Sequence, residues 1–474
     1  MKVLPYLAAV LFSLAAAAAP AAGSDDSMRP PAPLNEQAVT VSGDRQRPIE
    51  LEATIFTPPG AGPFPLVIMN HGAAGTTRPD LEPRYRYTFS AFYFLSRGYA
   101  VVLPMMRGYA GSRGHQDLNG CNQEAVGLAN ARDIRGVIEA VSTLPNIDGK
   151  RVVVAGQSFG GWNTLAFGTL HDPNVKGLIN FSGGAVIGKC SDTPGALARA
   201  AQHYGEKTGI PSIWFYGDND SKFPPAVWRD MFTRYNAAGG HAELVAVGNF
   251  MTDSHAMIGY PESLGIWTPK VDAFLEKIGL PGKEIFPEYL PTAFPPPSHY
   301  AAIGDVDAIP YISDKGRQEY RKFLAAPMPR VFVISPSGTS GAFNGGFDPV
   351  VRAKDSCAKL AQNCQIYAVD NLVTWTRPTP APPPTKFAPL DDAAALPYLN
   401  DAGREGYRKY LTMRKPKAFV IASDGAWAAS SQGDDPLAGA MQACTKAHAE
   451  CAYYAVDDAV VWSAVQRATD PVRH

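Results

Sequence analysis

Short runs of apolar, often β-branched residues alternate with longer amphipathic stretches through the first 280 residues of the chain. Runs of this kind are typical of buried strands, and apolar positions three and four residues apart are typical of helices. The predicted strands are 51–56, 66–70, 99–103, 151–155, 177–181, 212–216 and 243–247. The predicted helices are 87–97, 123–143, 159–170, 225–238 and 268–277. This alternation predicts an α/β fold, in which a mostly parallel sheet carries helices on both faces.

One of these strands leads into the clearest chemical motif of the chain. The run at 151–155 continues as GQSFG at residues 156–160, and a predicted helix follows. Such strings occur by chance, but a strand, Gly-x-Ser-x-Gly and a helix in this order are typical of a nucleophile elbow. A serine in so sharp a turn brings the chain close to itself, so glycine is needed two positions before and after it. Ser158 is therefore the predicted nucleophile.

The second half of the chain contains an internal repeat with a shift of 87 residues and no gap. Two cysteines and a tryptophan recur at this shift: Cys357, Cys364 and Trp375 become Cys444, Cys451 and Trp462. The repeat predicts two copies of one small α+β unit, which we call module 1 (301–376) and module 2 (388–463). In module 1 the pattern predicts a helix at 315–324, a strand at 330–335, a helix at 349–361 and two short strands.

Proline-rich stretches separate the predicted units. Residues 281–300 form one linker and residues 377–387 the other, and such compositions favour semi-rigid spacers. The domain preceding them is expected at 24–280, and we call it the α/β domain. In an open α/β sheet the functional site is expected at the carboxyl ends of the strands.

The N-terminus has the pattern of a signal peptide. Lys2 precedes an apolar run at 3–19, and small residues crowd positions 15–24. This pattern predicts removal of residues 1–23 and export to the periplasm or the medium. No later stretch has about 18 consecutive apolar residues, so no further membrane span is expected after signal cleavage. A net charge of −1 and a pI near 6.8 disfavour a nucleic-acid partner.

The cysteine count fits an oxidising compartment. The chain has six cysteines, with no C-x-x-C pair to indicate a metal site. The two C-x₆-C pairs are most simply local disulfides that join a helix end to the next strand in each module. Cys121 and Cys190 then remain to pair with each other, although sequence alone leaves the connectivity open.

The first half of the chain resembles the α/β-hydrolase superfamily, and within it the dienelactone-hydrolase-like and secreted serine esterase group. The resemblance covers about residues 50–277. It rests on NHG at 70–72, RGYAGS at 107–112, GQSFG at 156–160, GDND at 217–220 and DSH at 253–255. Nucleophile, acid and base follow one another in the order this superfamily uses. Prototype dienelactone hydrolases carry a cysteine nucleophile, so the serine here points to the wider esterase branch.

The resemblance implies a catalytic base and acid for the serine. His255 lies in a polar loop after the last predicted strand, where the superfamily places its histidine. Asp220 fits the family pattern Gly-x-x-Asp as the acid that orients this histidine, and Asp218 is the alternative. His71 is expected to shape its loop rather than to transfer protons.

The same resemblance implies two backbone donors for a developing oxyanion. One is the N–H of Phe159, which follows the nucleophile, and the other is the N–H of Ala73, after the NHG segment. Arg107 and Tyr109 are candidates for lining the pocket. Its shape is expected to come from loops such as 73–86 and 184–208. No metal or organic cofactor is implied.

Together, these features predict an exported serine hydrolase that cleaves small-molecule carboxylic esters through an acyl-enzyme. A serine peptidase of the prolyl-oligopeptidase type is an alternative, because it uses the same order of catalytic residues. A second alternative is a protein that binds an envelope component or another protein through its tandem modules. Exposed Trp375 and Trp462 would favour that binding role, whereas buried ones would belong to the module cores.

Overall fold

The computed structural model describes residues 28–463, apart from 74–76, 87–88, 119 and 189. The predicted signal peptide at 1–23 therefore lies outside the described residues. Within the part of the chain that is described, no helix is both long enough and apolar enough to cross a membrane.

The α/β domain is built on one eight-stranded sheet. Its strands are β1 (Gln37–Ser42), β2 (Glu50–Phe56), β3 (Phe64–Asn70), β4 (Ala100–Pro104), β5 (Ile147–Gln157), β6 (Val175–Phe181), β7 (Ser212–Tyr216) and β8 (Ala242–Ala246). The helices are α1 (Phe89–Ser96), α2 (Gln123–Val141), α3 (Phe159–Phe167), α4 (Thr193–Lys207), α5 (Pro225–Ala237) and α6 (Leu264–Lys277).

The sheet order is β1-β2-β4-β3-β5-β6-β7-β8. β1 and β2 are antiparallel to their neighbours, and every pairing from β4 through β8 is parallel. Large apolar clusters cover the two faces: one contains residues of α2, α3, α4 and α5, and the other contains residues of α1 and α6. The predicted α/β fold class with a mostly parallel sheet is confirmed. The crossover connections place the loops after β3, β5, β7 and β8 at one edge of the sheet.

Two elements of this domain differ from the prediction. The sequence pattern missed β1, and it treated 184–208 as a loop, whereas Thr193–Lys207 forms α4. Asp192 caps this helix by accepting the N–H of Gly195, and Pro194 lies in its first turn. Proline and glycine are acceptable there because the first helical N–H groups have no partner within the helix. The pocket-shaping loop therefore ends near residue 192.

Each module is a small four-stranded antiparallel sheet packed against two helices. Module 1 comprises α7 (Asp314–Ala325), β9 (Arg330–Ile334), β10 (Ser340–Asn344), α8 (Pro349–Ala358), β11 (Gln365–Val369) and β12 (Leu372–Val373). Module 2 comprises α9 (Asp401–Leu411), β13 (Ala418–Ile421), β14 (Trp427–Ser430), α10 (Pro436–Thr445), β15 (Ala452–Val456) and β16 (Ala459–Val460). The sheet orders match, β10-β9-β11-β12 and β14-β13-β15-β16. The edge strands β10 and β14 were not predicted from the sequence.

The repeat extends into both proline-rich segments. Backbone N–H groups of Ser298 and Thr385 donate to the carbonyls of Val373 and Val460, at the same distance along each module. Two threonines further upstream donate to the aspartates that cap α8 and α10: Thr292 to Asp348 and Thr379 to Asp435. Parts of both segments thus pack as edges of the modules that follow them.

The cysteines and tryptophans of the modules lie where the repeat predicted. The disulfides are Cys121–Cys190, Cys357–Cys364 and Cys444–Cys451, which confirms the predicted connectivity. Trp375 and Trp462 are 2% and 7% exposed and belong to the apolar cores of their modules. They therefore do not form an exposed aromatic binding surface.

Candidate active site

Ser158 lies in a strained turn between β5 and α3. Its backbone has φ 54° and ψ −120°, a conformation that non-glycine residues rarely adopt. Neighbouring backbone groups hold it there, because its N–H donates to Phe181 O at 2.9 Å and its carbonyl accepts from Gly184 N at 3.1 Å. The end of β6 and the loop after it thus hold the strained backbone, and the side chain lies at the edge of the sheet.

The flanking glycines are required by contacts with the backbone. A Cβ on Gly156 would lie 2.3 Å from Gly160 O, and a Cβ on Gly160 would lie 2.2 Å from Asn70 O. Both distances are well below van der Waals contact. A side chain at either position would therefore push apart the turn, the helix and the loop after β3.

Three side chains predicted from the sequence form a continuous hydrogen-bonded chain. Ser158 Oγ lies 3.0 Å from His255 Nε2, and His255 Nδ1 lies 3.1 Å from Asp220 Oδ2. The Asp220 side chain is fully buried, and that of His255 is 12% exposed. Ser158 follows β5, Asp220 follows β7 and His255 follows β8, so the parallel sheet brings residues far apart in sequence to one edge.

The carboxylate of Asp220 is held in position by its own turn. Its Oδ1 accepts the N–H groups of Lys222 and Phe223, both at 2.9 Å. Asp218 faces away, because its carboxylate lies 3.2 Å from Arg229 and its side chain is 44% exposed. Of the two aspartates left open by the sequence, the structure therefore brings Asp220 to His255.

The loop that carries His255 is fixed from both sides. Asp253 caps it by accepting the N–H of His255 at 2.9 Å, and it also binds the hydroxyl of Ser221 at 2.6 Å. Burial raises the pKa of Asp253, but these hydrogen bonds outweigh it and lower that pKa overall. On the other side, Gln157 Nε2 donates to His255 O at 3.0 Å. The sequence reasoning missed Gln157, whose only signal was its place beside the serine.

The candidate oxyanion donors lie on either side of the serine. Phe159 begins α3, so its N–H is at the positive end of the helix. The loop after β3 passes close by, since a Cβ on Gly72 would lie 3.2 Å from Ser158 Cβ. Ala73 is the next residue of that loop, and its N–H remains the predicted second donor.

His71 is a buried structural histidine of the same loop. Its Nδ1 lies 2.7 Å from Gly72 O, and its Nε2 accepts the N–H of Met106 at 3.0 Å. These two contacts require a neutral ring with its proton on Nδ1. Burial lowers the pKa of His71 to about 4. The ring therefore links the loop beside Ser158 to the segment after β4, as the sequence analysis expected.

The burial of His71 predicts that the folded protein loses stability at acidic pH. A folded-state pKa near 4, below the ordinary 6.5, contributes stability above pH 6.5 that is lost as pH falls through 4. We expect the free energy of unfolding to fall by about 3 kcal/mol over this range through His71. Urea unfolding at pH 4 to 7 should show a steeper decline for wild type than for His71→Asn. The matched control is His203→Asn, at an exposed histidine beside Glu124, and equal slopes for wild type and His71→Asn would contradict the prediction.

Arg107 does not line the site. Its guanidinium forms a buried ion pair with Asp133 of α2, at 2.5 Å, and also donates to Arg47 O. Tyr109 is buried with its ring edge against His71. Arg107 therefore braces the loop after β4 against α2. Among the described residues, no three His, Cys, Asp or Glu side chains are grouped so as to hold a metal ion.

Comparison with known proteins gives a family-model match over residues 47–228, to the X-Pro dipeptidyl-peptidases of the S15 family. An uncharacterized peptidase of Bacillus subtilis, YuxL, is 24% identical over 233 residues, which are 45% of this chain and 34% of that protein. The quorum-quenching protein AidA of Acinetobacter baumannii is 28% identical over 155 residues, 33% of this chain and 44% of that protein. The matched parts are thus less than half of either relative.

Among solved structures, the acylaminoacyl peptidase of Pyrococcus horikoshii is 17% identical, with a TM-score of 0.41, and the match covers 52% of this chain and 42% of that one. The family model spans the stretch from before β2 into α5, which includes the serine turn. The sheet order, the strained serine turn and the matched model identify the α/β domain as a member of the α/β-hydrolase superfamily.

Proposed function

We propose that the protein is a serine hydrolase that cleaves carboxylic esters through an acyl-enzyme, with Ser158, His255 and Asp220 as its catalytic residues. The observation that carries the proposal is the continuous chain from Ser158 Oγ through the imidazole to the buried carboxylate. A serine hydroxyl is a weak nucleophile at neutral pH and needs such a base.

In the first step, His255 Nε2 removes the proton of Ser158 as its oxygen attacks the ester carbonyl. The negative charge on the former carbonyl oxygen is stabilised by the N–H groups of Phe159 and Ala73. Asp220 stabilises the imidazolium that forms, while remaining ionised itself. The imidazolium then gives its proton to the leaving alcohol, and the bond to that alcohol breaks.

In the second step, the same imidazole removes a proton from water, whose oxygen attacks the acyl-serine. Collapse of the second tetrahedral species returns the proton to Ser158 Oγ and releases the acid. The strained backbone of Ser158 keeps its side chain in one place through both steps, and Gln157 keeps the His255 loop beside it.

Peptide cleavage is the second candidate, because the matched family model is that of an X-Pro dipeptidyl-peptidase. Recognition of a substrate amino terminus favours an available carboxylate near the serine. Two other aspartates lie next to triad residues in sequence, and both are paired within the chain: Asp253 with Ser221 and Asp218 with Arg229. This internal pairing favours the ester reading.

A substrate panel separates the two candidates. We expect turnover of p-nitrophenyl esters, no turnover of an alanyl-prolyl p-nitroanilide, and labelling of Ser158 by a fluorophosphonate, located by mass spectrometry of the labelled peptide. The chain-length profile of the esters measures the acyl pocket. Turnover of the anilide without turnover of any ester would favour the peptidase over the esterase. Failure to label Ser158 would contradict both candidate functions.

Export to an oxidising compartment is part of the proposal. Its support is that all six cysteines form disulfides, a state that a reducing cytosol disfavours. Binding of an envelope component by the modules is a separate proposal, and the burial of both repeated tryptophans removes the feature that favoured it.

A further inference from the structure

The two modules dock through equivalent surfaces. In each, the tight turn between the last two strands presents an aspartate towards the preceding part of the chain: Asp370 in module 1 and Asp457 in module 2. Each aspartate accepts the N–H of the first residue of its central strand region, Arg330 or Lys417, at 2.8 Å. The other carboxylate oxygen of each is left to face a different group.

The two groups that these oxygens face have opposite charge. In module 2, Asp457 pairs with the guanidinium of Arg377, which also lies over the ring of Tyr300. In module 1, Asp370 instead interacts with Glu262 of the α/β domain. The repeat thus supplies an ion pair at one contact and two carboxyl groups at the other.

The carboxyl pair is buried and lacks a donor. Both carboxylate oxygens of Glu262 and Oδ2 of Asp370 are shielded from solvent without a hydrogen-bond donor from another described residue. Two ionised carboxylates cannot satisfy each other, since each is only an acceptor. A single proton between them converts one into a donor, which forms a strong hydrogen bond to the other.

Arg330, the cationic residue that binds the backbone of Asp370, is hydrogen-bonded to other acceptors. The guanidinium of Arg330 donates to the carbonyls of Leu324, Ala326 and Asp370 and to the side chain of Asn371. None of these bonds reaches a carboxylate oxygen. Apart from its own backbone, Asp370 is the group that acts on Glu262 in the described part of the chain. The pair therefore has no cation that could replace the proton.

We propose that Glu262 and Asp370 share one proton across the contact between the α/β domain and module 1, and that this shared proton positions the segment carrying His255. Glu262 follows His255 by seven residues, in a short helical turn, Pro261–Ser263, that packs against the His255 turn, Ser254–Gly259. They are positioning residues and do not touch the substrate. Their consequence for catalysis rests on the proposed function, whereas the proton-linked docking does not.

Apolar contacts place module 1 against the same region. Phe347, from the loop before α8, is 7% exposed and lies with its ring centroid 5.8 Å from that of Phe92 in α1. It belongs to the apolar cluster that contains Met257 and Ile258, directly after His255. Loss of docking would therefore expose one side of the His255 loop to solvent.

The sign of the pH dependence follows from the raised pKa of Glu262. Burial first, and Asp370 second, raise the pKa of Glu262 from an ordinary 4.5 to about 8. The docked state consequently binds a proton that the undocked state releases to water between these values. Docking is strongest below pH 4.5, weakens by up to about tenfold per pH unit, and levels off above pH 8.

Hydrogen exchange of the full-length protein tests the proposal. Protection factors of the amides at 254–263, with the intrinsic rate divided out, are expected to fall in wild type between pH 6 and 8.5. Glu262→Gln keeps a donor at the same place and removes the titration, so its protection should stay level. The matched control is Asp457→Asn in module 2, which should leave the wild-type pH dependence at 254–263 in place.

The outcomes distinguish this proposal from the proposed function. Protection that falls with pH equally in wild type and Glu262→Gln would overturn the shared proton, whether or not the protein hydrolyses esters. If Glu262→Gln does not fold, Asp370→Asn replaces it, because it changes the other carboxyl group of the pair. Protection at 254–263 should then also stay level with pH. In an active enzyme, Glu262→Gln should also retain more of its kcat/KM than wild type between pH 7 and 8.5.

Discussion

Replacing Ser158 with alanine is expected to lower kcat for p-nitrophenyl esters by about 10⁴- to 10⁶-fold while the protein remains folded. The substitution removes the atom that attacks the carbonyl, and it leaves His255 and the backbone donors in place. The turn should survive, because the end of β6 and the loop after it bind the N–H and the carbonyl of the strained residue. Steady-state kinetics of the purified variant, with circular dichroism to verify the fold, provides the measurement.

The matched control is Ser431→Ala, a substitution of the same kind in module 2, far along the chain from the serine turn. It should leave kcat within about twofold of wild type, because surface substitutions usually cost within 0.5 kcal/mol. Wild-type turnover by Ser158→Ala would contradict the nucleophile assignment. A folded variant that also loses its fluorophosphonate label would instead place the reactive hydroxyl at this residue.

Features carried by local sequence were predictable. The serine turn was evident because glycine is required at two fixed positions where a Cβ would strike backbone, and a strand and a helix flank them. Asp220 and His255 were assigned from the resemblance to the α/β-hydrolase superfamily, and both follow strands that end at one edge of the parallel sheet. The module disulfides followed from an ungapped repeat, which fixes equivalent residues without any knowledge of the fold.

Features that depend on distant contacts were not predictable. The family pattern favoured Asp220 as the acid, but Asp218 belongs to the same turn, and only the position of His255 shows which of them it contacts. Arg107 resembled a pocket residue in sequence, yet its charge is buried against Asp133. The first turn of α4 contains proline and glycine, which are typical of loops in a sequence. In the structure, Asp192 caps this turn by accepting the N–H of Gly195, so the helix can begin there.

The contacts of the two modules likewise depend on residues distant in sequence and could not be predicted from the repeat. Asp370 and Asp457 are also related by the shift of 87 residues, and equivalent positions of a repeat are expected to have similar surroundings. Their partners, Glu262 and Arg377, come from segments outside the modules and differ in charge. The same module surface therefore contacts two different groups. Its response to pH depends on those groups and not on the repeat itself.

Replacing Asp220 with asparagine is expected to lower kcat by about 10³- to 10⁴-fold, with little change in the fold. Asp220 Oδ1 accepts two backbone N–H groups, from Lys222 and Phe223. The amide oxygen of asparagine should occupy that position, because only an oxygen can accept both bonds. His255 Nδ1 faces both carboxylate oxygens, at 3.0 Å from Oδ1 and 3.1 Å from Oδ2. The NH₂ group at the Oδ2 position therefore meets Nδ1 and, by donating to it, favours the imidazole with its proton on Nε2. An imidazole in that tautomer cannot remove the proton of Ser158.

The matched control lies two residues earlier in the same turn. Asp218→Asn removes the same charge, but its exposed side chain contacts Arg229 instead of the histidine. Such surface pairs contribute about 0–1 kcal/mol, so kcat should remain within about twofold of wild type. Steady-state kinetics of both variants on one ester decides between the two aspartates. Equal losses would mean that the charge near the site matters more than the tautomer, and a larger loss in Asp218→Asn would reverse the assignment of the acid.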